Sequence, residues 1–249
     1  MLAEERLARI VEMVGRRGTA SVSDLASELG ISESTIRRDL DKLDQAHRLV
    51  KVHGGATTLE SAHLTRDLTL DERHGLHAEE KRAICAYAAT LVGPDDLVYL
   101  DAGSTVEELI GHLGEHRARY VTDSVSHAMK LAGRGFHVTV LGGELKSATE
   151  SLIGPDTIAA LSRYHFTIGF WGANGITPES GFTSPESNEA LIKQLSMEHT
   201  ARRYVLADAT KFDSTSLVGF GPFLSATIVT CGDVPERYRE FENVVEVSL

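Results

Sequence analysis

Five short segments place small, hydroxyl-bearing or charged residues directly behind apolar runs. Asp101-Ala102-Gly103-Ser104-Thr105 follows DLVYL, Thr122-Asp123-Ser124 ends RYVT, and Gly142-Gly143 follows HVTVL. Gly172-Ala173-Asn174 follows FTIGFW, and Lys211 closes VLADATK. Backbone amides and hydroxyls gathered where a strand turns into a helix make a natural anion site. One lysine adds positive charge, and Asp101 and Asn174 suit the hydroxyls of a sugar. Together these are the groups needed to hold a phosphorylated sugar. Any one of the glycine-containing loops, taken alone, is also an ordinary tight turn.

A second constellation lies near the N-terminus, in ESTIRRDLDKLDQA. On a helical wheel Ile36, Leu40 and Leu43 share one face, while Ser34, Arg38 and Asp41 point the opposite way. Thr35 and Lys42 lie on one flank of that outer face and Arg37 on the other. Such a helix can offer Ser34, Thr35, Arg37 and Arg38 to base edges in a DNA major groove, with either arginine able to grip a guanine through two hydrogen bonds. Ser32, Lys42, Arg48, Lys51 and His53 suit phosphate or groove-edge contacts, which set register rather than sequence.

The elements that must position these groups follow from periodicity and punctuation. Residues 3–17 form an amphipathic helix, with Leu7, Ile10, Val11 and Val14 on one stripe and Gly18 at its end. Ser23 is placed to cap a second helix that stops at Gly30, and Ser32 to cap the third. RLVKVHGGAT alternates and ends in small residues, as a two-stranded wing does. The order is that of a winged helix-turn-helix. Residues 58–77 lack a period and form a linker. Beyond it a helix over 78–92 leads into strands at 96–100, 119–122, 137–141, 166–170, 203–207 and 226–230, separated by helical stretches. That alternation predicts a mainly parallel, Rossmann-like sheet covered on both faces, with its ligand beyond the carboxyl ends of the strands. The domains are therefore 1–57 and 78–249, joined by 58–77.

Composition excludes several classes. The 249 residues are 42% hydrophobic and 24% charged, as in ordinary globular proteins. No apolar run approaches the ~18–20 residues that cross a bilayer, and the acidic start of MLAEERLARIVEMVGRR is unlike a signal peptide. The two cysteines, Cys85 and Cys231, make no disulfide framework and are expected as buried thiols in a cytoplasmic protein. Net charge is −11. Residues 1–57 are balanced, and their bases cluster between Arg37 and Lys51, where phosphate contacts would arise. His112 and His116 stand one helical turn apart without a third ligand nearby, so neither a metal nor a cofactor is expected. Trp171 fits either a core position or the lining of the pocket.

SVSDLASELGISESTIRRDLDKL and KVHGGAT resemble the DNA-binding domain of the DeoR family of bacterial transcriptional repressors. LDAGSTVEEL, LGGELKSATESLIGP, GANGIT, GFTSPESNEALIK and VLADATKF resemble that family's effector domain, so the likeness spans nearly the whole chain. The resemblance implies an α/β effector domain of ribose-5-phosphate isomerase type, with a phosphorylated-sugar effector and operator DNA as partners; because one small helix-turn-helix contact is weak, assembly as a dimer or tetramer is expected. Two residues depart from the family pattern: His47 stands where glycine usually precedes the wing, and Asp123 where asparagine follows the threonine. An ionised Asp123 would repel a phosphate unless it faces a sugar hydroxyl or an amine.

Two other functions remain to be weighed. One is a sugar-phosphate isomerase with an appended DNA-binding domain. Its relatives carry Asp-Gly-Ala-Asp where this chain has Trp171-Gly172-Ala173-Asn174, so the only acid left near that site is Glu189, read here as a ligand-binding or helix-surface group. No catalytic residue is assigned. The other is a winged helix that binds protein, which salt dependence would distinguish from DNA binding.

Overall fold

A computed structural model describes residues 3–17, 19–46, 48–52, 55–58, 73 and 75–249. Gly18, His47 and His53 lie outside the described residues, as does most of the 58–77 segment. The chain divides into two units, residues 1–66 and 67–249.

In the first unit three helices, α1 (Ala3–Arg17), α2 (Val22–Leu29) and α3 (Glu33–Gln45), enclose Ile10, Val14, Leu25, Ile36, Leu40 and Leu43. These are the apolar stripes read from the sequence, turned inward. Gly30 adopts φ 65° and returns its N–H to the Ala26 carbonyl, closing α2. The cap at the other end of α2 differs from expectation. Ser21, not Ser23, accepts the Asp24 N–H, because the helix already begins at Val22 and Ser23 lies inside it. The wing also has one strand more than expected. β2 (Val50–Val52) and β3 (Gly55–Thr57) form the hairpin, and β1 (Thr19–Ser21) pairs with the far side of β3. Gly55 permits that pairing, since a Cβ there would overlap the Ala20 carbonyl.

The second unit is built on a seven-stranded sheet. Its strands are β4 (Leu97–Leu100), β5 (Arg119–Thr122), β6 (His137–Val140), β9 (Phe166–Gly172), β12 (Thr200–Leu206), β14 (Thr227–Thr230) and β15 (Val244–Glu246). Every pairing is parallel, in the order β15-β14-β12-β9-β4-β5-β6. Six strands stand where the sequence placed them, and β15 adds an edge. Runs such as LVYL and TIVT are apolar throughout because both faces are covered. On one face lie α4 (Ala78–Ala89), α5 (Ser104–His112) and α6 (Val125–Gly133), supplying Ile84, Cys85, Val106, Leu109 and Leu131 to the core. On the other lie α7 (Pro155–Leu161) and α8 (Ser187–Glu198), supplying Leu161, Ala190 and Met197. α4 ends at Ala89, three residues before its expected end. A hairpin of β7 (Glu144–Lys146) and β8 (Ser151–Ile153), and a small antiparallel sheet of β10 (Gly175–Thr177), β11 (Gly181–Ser184) and β13 (Val218–Gly221), complete the unit. Both cysteines are buried free thiols. Among the described residues no helix is long and apolar enough to cross a membrane.

The chain lays down β4, then β5 and β6 to one side, then crosses to β9 on the other. The reversal falls between β4 and β9, and open α/β sheets bind ligands beyond the carboxyl ends of the strands at such a point.

Candidate effector and DNA-contact sites

Asp101 sits at that reversal, one residue past β4, and is 1% exposed. Its Oδ2 accepts the Gly172 N–H at the end of β9 (3.1 Å) and the ammonium of Lys193 from α8. Lys193 also donates to the Gly172 carbonyl (3.3 Å). One buried ion pair thus ties β4, β9 and α8 together. Burial raises the Asp101 pKa, and Lys193 pulls it back.

Asp123 lies beside this pair. It is almost fully buried, and its Oδ1 accepts the Ala102 N–H (3.0 Å). Burial first, and the Asp101 charge second, push its pKa up to about 8. The group is therefore protonated at neutral pH, and the charge conflict expected of an ionised Asp123 is absent. Thr122 and Ser124 are also buried, and their hydroxyls serve the protein itself. Ser124 donates its N–H to Thr122 Oγ1 (3.0 Å), and Ser124 Oγ caps α6 by accepting the His127 N–H.

A cationic cluster lies one turn away. Gly103, at φ 143°, precedes α5, so Ser104 and Thr105 occupy the helix's first turn. Lys81 of α4 donates to Ser104 Oγ (3.2 Å) and to the Arg73 carbonyl (2.7 Å). Burial first, then Lys211 and Arg73, depress its pKa to about 8 against the opposing pull of Asp208. Lys211 stands 4.0 Å from Asp208, whose carboxylate stays below the usual range despite its burial because Lys211 and Thr210 stabilise it. Two lysines thus share the Asp208 carboxylate, with the Arg73 charge close to Lys81.

The remaining loops have other roles in their local geometry. Thr157 Oγ1 donates to the Gly142 carbonyl (2.7 Å), and Gly143, at φ 134°, has no room for a Cβ beside the same hydroxyl. Gly143 lets this loop lie on α7, whereas a Cβ at Gly142 would meet nothing. Ala173 is half-buried, and Asn174 is nearly buried with its N–H on the Thr183 carbonyl (3.0 Å). Glu189 receives three donors on one oxygen: Thr149 Oγ1, Ser151 Oγ (2.9 Å) and Lys146 Nζ (3.1 Å). Although burial works against it, these donors hold the carboxyl below its ordinary pKa. Trp171 is wholly buried and bonds Ser196 Oγ through Nε1 (2.9 Å), which makes it a core residue.

Lys81 and Lys193 are the groups that sequence reasoning missed. Each carries a signal. Lys81 shares a stripe with Ile84, Cys85 and Ala88, and Lys193 with Ala190, Ser196 and Met197. A lysine on an apolar stripe is buried with a partner or is out of place.

In the first unit Ser32, Ser34, Arg37, Arg38, Lys42 and Arg48 are exposed, and Thr35 and Lys51 are half-buried. Arg37 is held by Glu33 (2.6 Å) and Lys51 by Asp41. Arg38, Lys42 and Arg48 have no acidic partner among the described residues. Ser32 occupies the cap position of α3 without a capping bond; its hydroxyl meets those of Ser34 (3.1 Å) and Thr35 (3.0 Å). A further pair holds α3 from behind. Arg6 of α1 grips the buried Asp39 through Nε and Nη2, the latter at 3.1 Å. Among the described residues no group of three or more side chains is placed to hold a metal ion.

Residues 6–62 match the DeoR-like helix-turn-helix domain, and residues 76–232 match the DeoR C-terminal sensor domain. The chain belongs to the DeoR family. Its relatives include an HTH-type transcriptional regulator, FruR, of Bacillus subtilis, 36% identical over 92% of this chain and 91% of the relative. The lactose phosphotransferase system repressor of Staphylococcus epidermidis is 30% identical over 98% of each chain. The HTH-type regulator GlpR of Haloferax volcanii is 34% identical over 96% of this chain and 94% of the relative. Among solved structures, ribose 5-phosphate isomerase A of Methanocaldococcus jannaschii is similar over 54% of each chain, at 16% identity and a TM-score of 0.42. This DeoR-family chain is a transcriptional regulator, with a DNA-binding unit first and a sensor unit after it.

Proposed function

We propose that the protein represses genes of carbohydrate metabolism from the cytoplasm, holding operator DNA with residues 1–57 and releasing it when a phosphorylated sugar binds at the sheet reversal of residues 78–249. Residues 58–77 join the two. The observation that carries the reading is the cluster of Lys81, Ser104 and Lys211 at the start of α5, beside the Asp101–Lys193 pair. In this assignment Lys81, Lys211, Ser104, Thr105 and the amide of Gly103 hold the phosphate. The sugar hydroxyls meet the walls formed by Asp101, Gly172, Ala173 and Asn174. Arg37, Arg38, Ser34 and Thr35 read bases, and Lys42, Arg48 and Lys51 hold phosphates. A single helix-turn-helix contact is small, so the regulator acts as a dimer or tetramer on repeated half-sites. The effector acts by binding one arrangement of the protein better than the other.

Regulation rather than isomerisation is favoured by the state of the acids. A general base needs a free carboxylate with a usable pKa. Glu189 is occupied by three donors, Asp101 by Lys193 and an amide, and Asp123 retains its proton.

The test is a thermal-shift series with phosphorylated sugars and their unphosphorylated forms. A ligand at one hundred times its Kd stabilises the fold by about 2.7 kcal/mol. One phosphorylated sugar is expected to raise the melt of the wild type, and far less that of Lys211→Ala, while its unphosphorylated form does nothing. The same sugar is expected to release DNA from the wild type, and an Arg37→Ala/Arg38→Ala protein should not bind DNA at all. A melt indifferent to every phosphorylated sugar refutes the effector assignment.

A further inference from the structure

Glu33 opens the recognition helix, and Arg37 lies one turn later on the same flank. The Arg37 Nη2 donates to Glu33 Oε2 at 2.6 Å, and both side chains are about half exposed. A pair of this kind adds only about 0.3–0.5 kcal/mol to a helix, so stability gives little reason for it. Its position is more informative. The first turn of a recognition helix is the part that meets base edges, and the three hydroxyls of Ser32, Ser34 and Thr35 gather in that turn.

An arginine has five N–H donors in a fixed fork. The bond to Glu33 occupies one of them and fixes the plane of the guanidinium, leaving others for a guanine O6 and N7. The carboxylate itself is repelled by DNA phosphates. It is tolerated in the major groove only opposite a base amino group, which means cytosine N4 or adenine N6. Guanine O6 and thymine O4 present acceptors to it and are rejected. The other paired acid of this face, Asp41, is engaged with Lys51 of the wing strand β2 and so fastens helix to wing. Lys42 and Arg48 carry no acidic partner among the described residues and supply the sequence-independent attraction.

The geometry points to the Glu33–Arg37 pair as a base-reading unit, with Arg37 on a guanine and Glu33 on the amino group of a neighbouring cytosine, so that Glu33 determines specificity rather than affinity. The inference rests on the reading of residues 1–57 as the DNA-binding domain.

The experiment selects bound duplexes from a randomised pool with the full-length protein at fixed salt. Affinities for the selected duplex, its single-base variants and random DNA are then measured for wild type, Glu33→Ala, Glu33→Gln and Arg37→Ala. Wild type is expected to fix a guanine and an adjacent cytosine. Glu33→Ala should lose about tenfold of the discrimination at the cytosine pair, keep its grip on the selected duplex, and bind random DNA more tightly because a negative charge is gone. Glu33→Gln should shift the preference from cytosine towards adenine, which a glutamine amide pairs with well. Arg37→Ala should lose the guanine. Unchanged base preferences in Glu33→Ala, or a uniform loss on every duplex, overturn the inference and leave the DNA-binding reading standing. A wild type that selects no sequence overturns both.

Discussion

Asp123→Asn removes an ionisable proton from beside the buried Asp101–Lys193 pair while keeping the side chain's shape. In the unfolded chain an aspartate titrates near 3.9, and in the folded protein burial and Asp101 raise this one to about 8. Between those values the folded chain holds a proton that the unfolded chain has released. Stability must therefore fall as pH rises through that window, and be fully present only below it. The slope is about 1.4 kcal/mol per pH unit, which accumulates to at most about 4 kcal/mol at pH 7. Asparagine has no such cost, and its oxygen can still accept the Ala102 N–H. The stability gap between variant and wild type should be near zero at pH 4 and grow to about 4 kcal/mol by pH 7. In a unit of this size that is a rise in Tm of roughly 8–16 °C. Titrating groups remote from Asp123 are common to both proteins and cancel in the difference, and Asp101, which Asp123 does touch electrostatically, keeps its Lys193 partner in both. Trp171 is the single tryptophan and lies in the core of the second unit, so its fluorescence reports on that unit's unfolding. Parallel wild-type and variant curves from pH 5 to pH 8, or a variant less stable than wild type at pH 8, would refute the argument.

Other perturbations follow from the same contacts. Lys193→Met leaves the Asp101 carboxylate buried without its partner and should cost about 3–5 kcal/mol in the Trp171 melt; Asp101→Asn should recover most of that loss, and lowering the pH should shrink it because Asp101 then takes up a proton. Asp39→Ala strands Arg6 beside the helix core and should abolish DNA binding while leaving the Trp171 transition in place, since α1 and α3 belong to the other unit. Gly143→Ala forces a Cβ into the space held by Thr157 at a φ of 134°, and should lower stability by about 1–3 kcal/mol, measured by urea unfolding.

What the sequence made legible was set by local rules. The convergence of Asp101 and Gly172 was legible because each ends an apolar run and begins a loop, and the parallel topology brings such ends together. The outward placement of Arg37, Arg38 and Lys42 was legible because a helical wheel separates them cleanly from Ile36, Leu40 and Leu43. Lys81 and Lys193 escaped because a lysine in a helix is ordinarily a solvent residue, and only tracing the apolar stripe around each reveals the burial. β1, β7, β8, β10 and β15 have three residues each, too few to display a period of two. Ser21 and Ser23 both stand close to the start of the second helix, and the choice between them depends on β1, which exists only through its pairing with β3. The burial of Thr122 and Asp123 is a property of three dimensions that spacing does not encode.

The order in which the chain is made adds a temporal consequence. The core of the DNA-binding unit lies between Leu7 and Ala56, so that unit is complete once the first quarter of the chain has emerged. The sheet reversal of the sensor unit closes much later. Its two defining bonds, from Asp101 to Gly172 and to Lys193, span 71 and 92 residues, and neither can form until both sides of the sheet have docked. At ordinary rates of synthesis the interval is on the order of ten seconds, and the non-local pairing of a parallel sheet lengthens it. For that interval each newly made molecule carries a finished DNA-binding unit and an unfinished sensor unit.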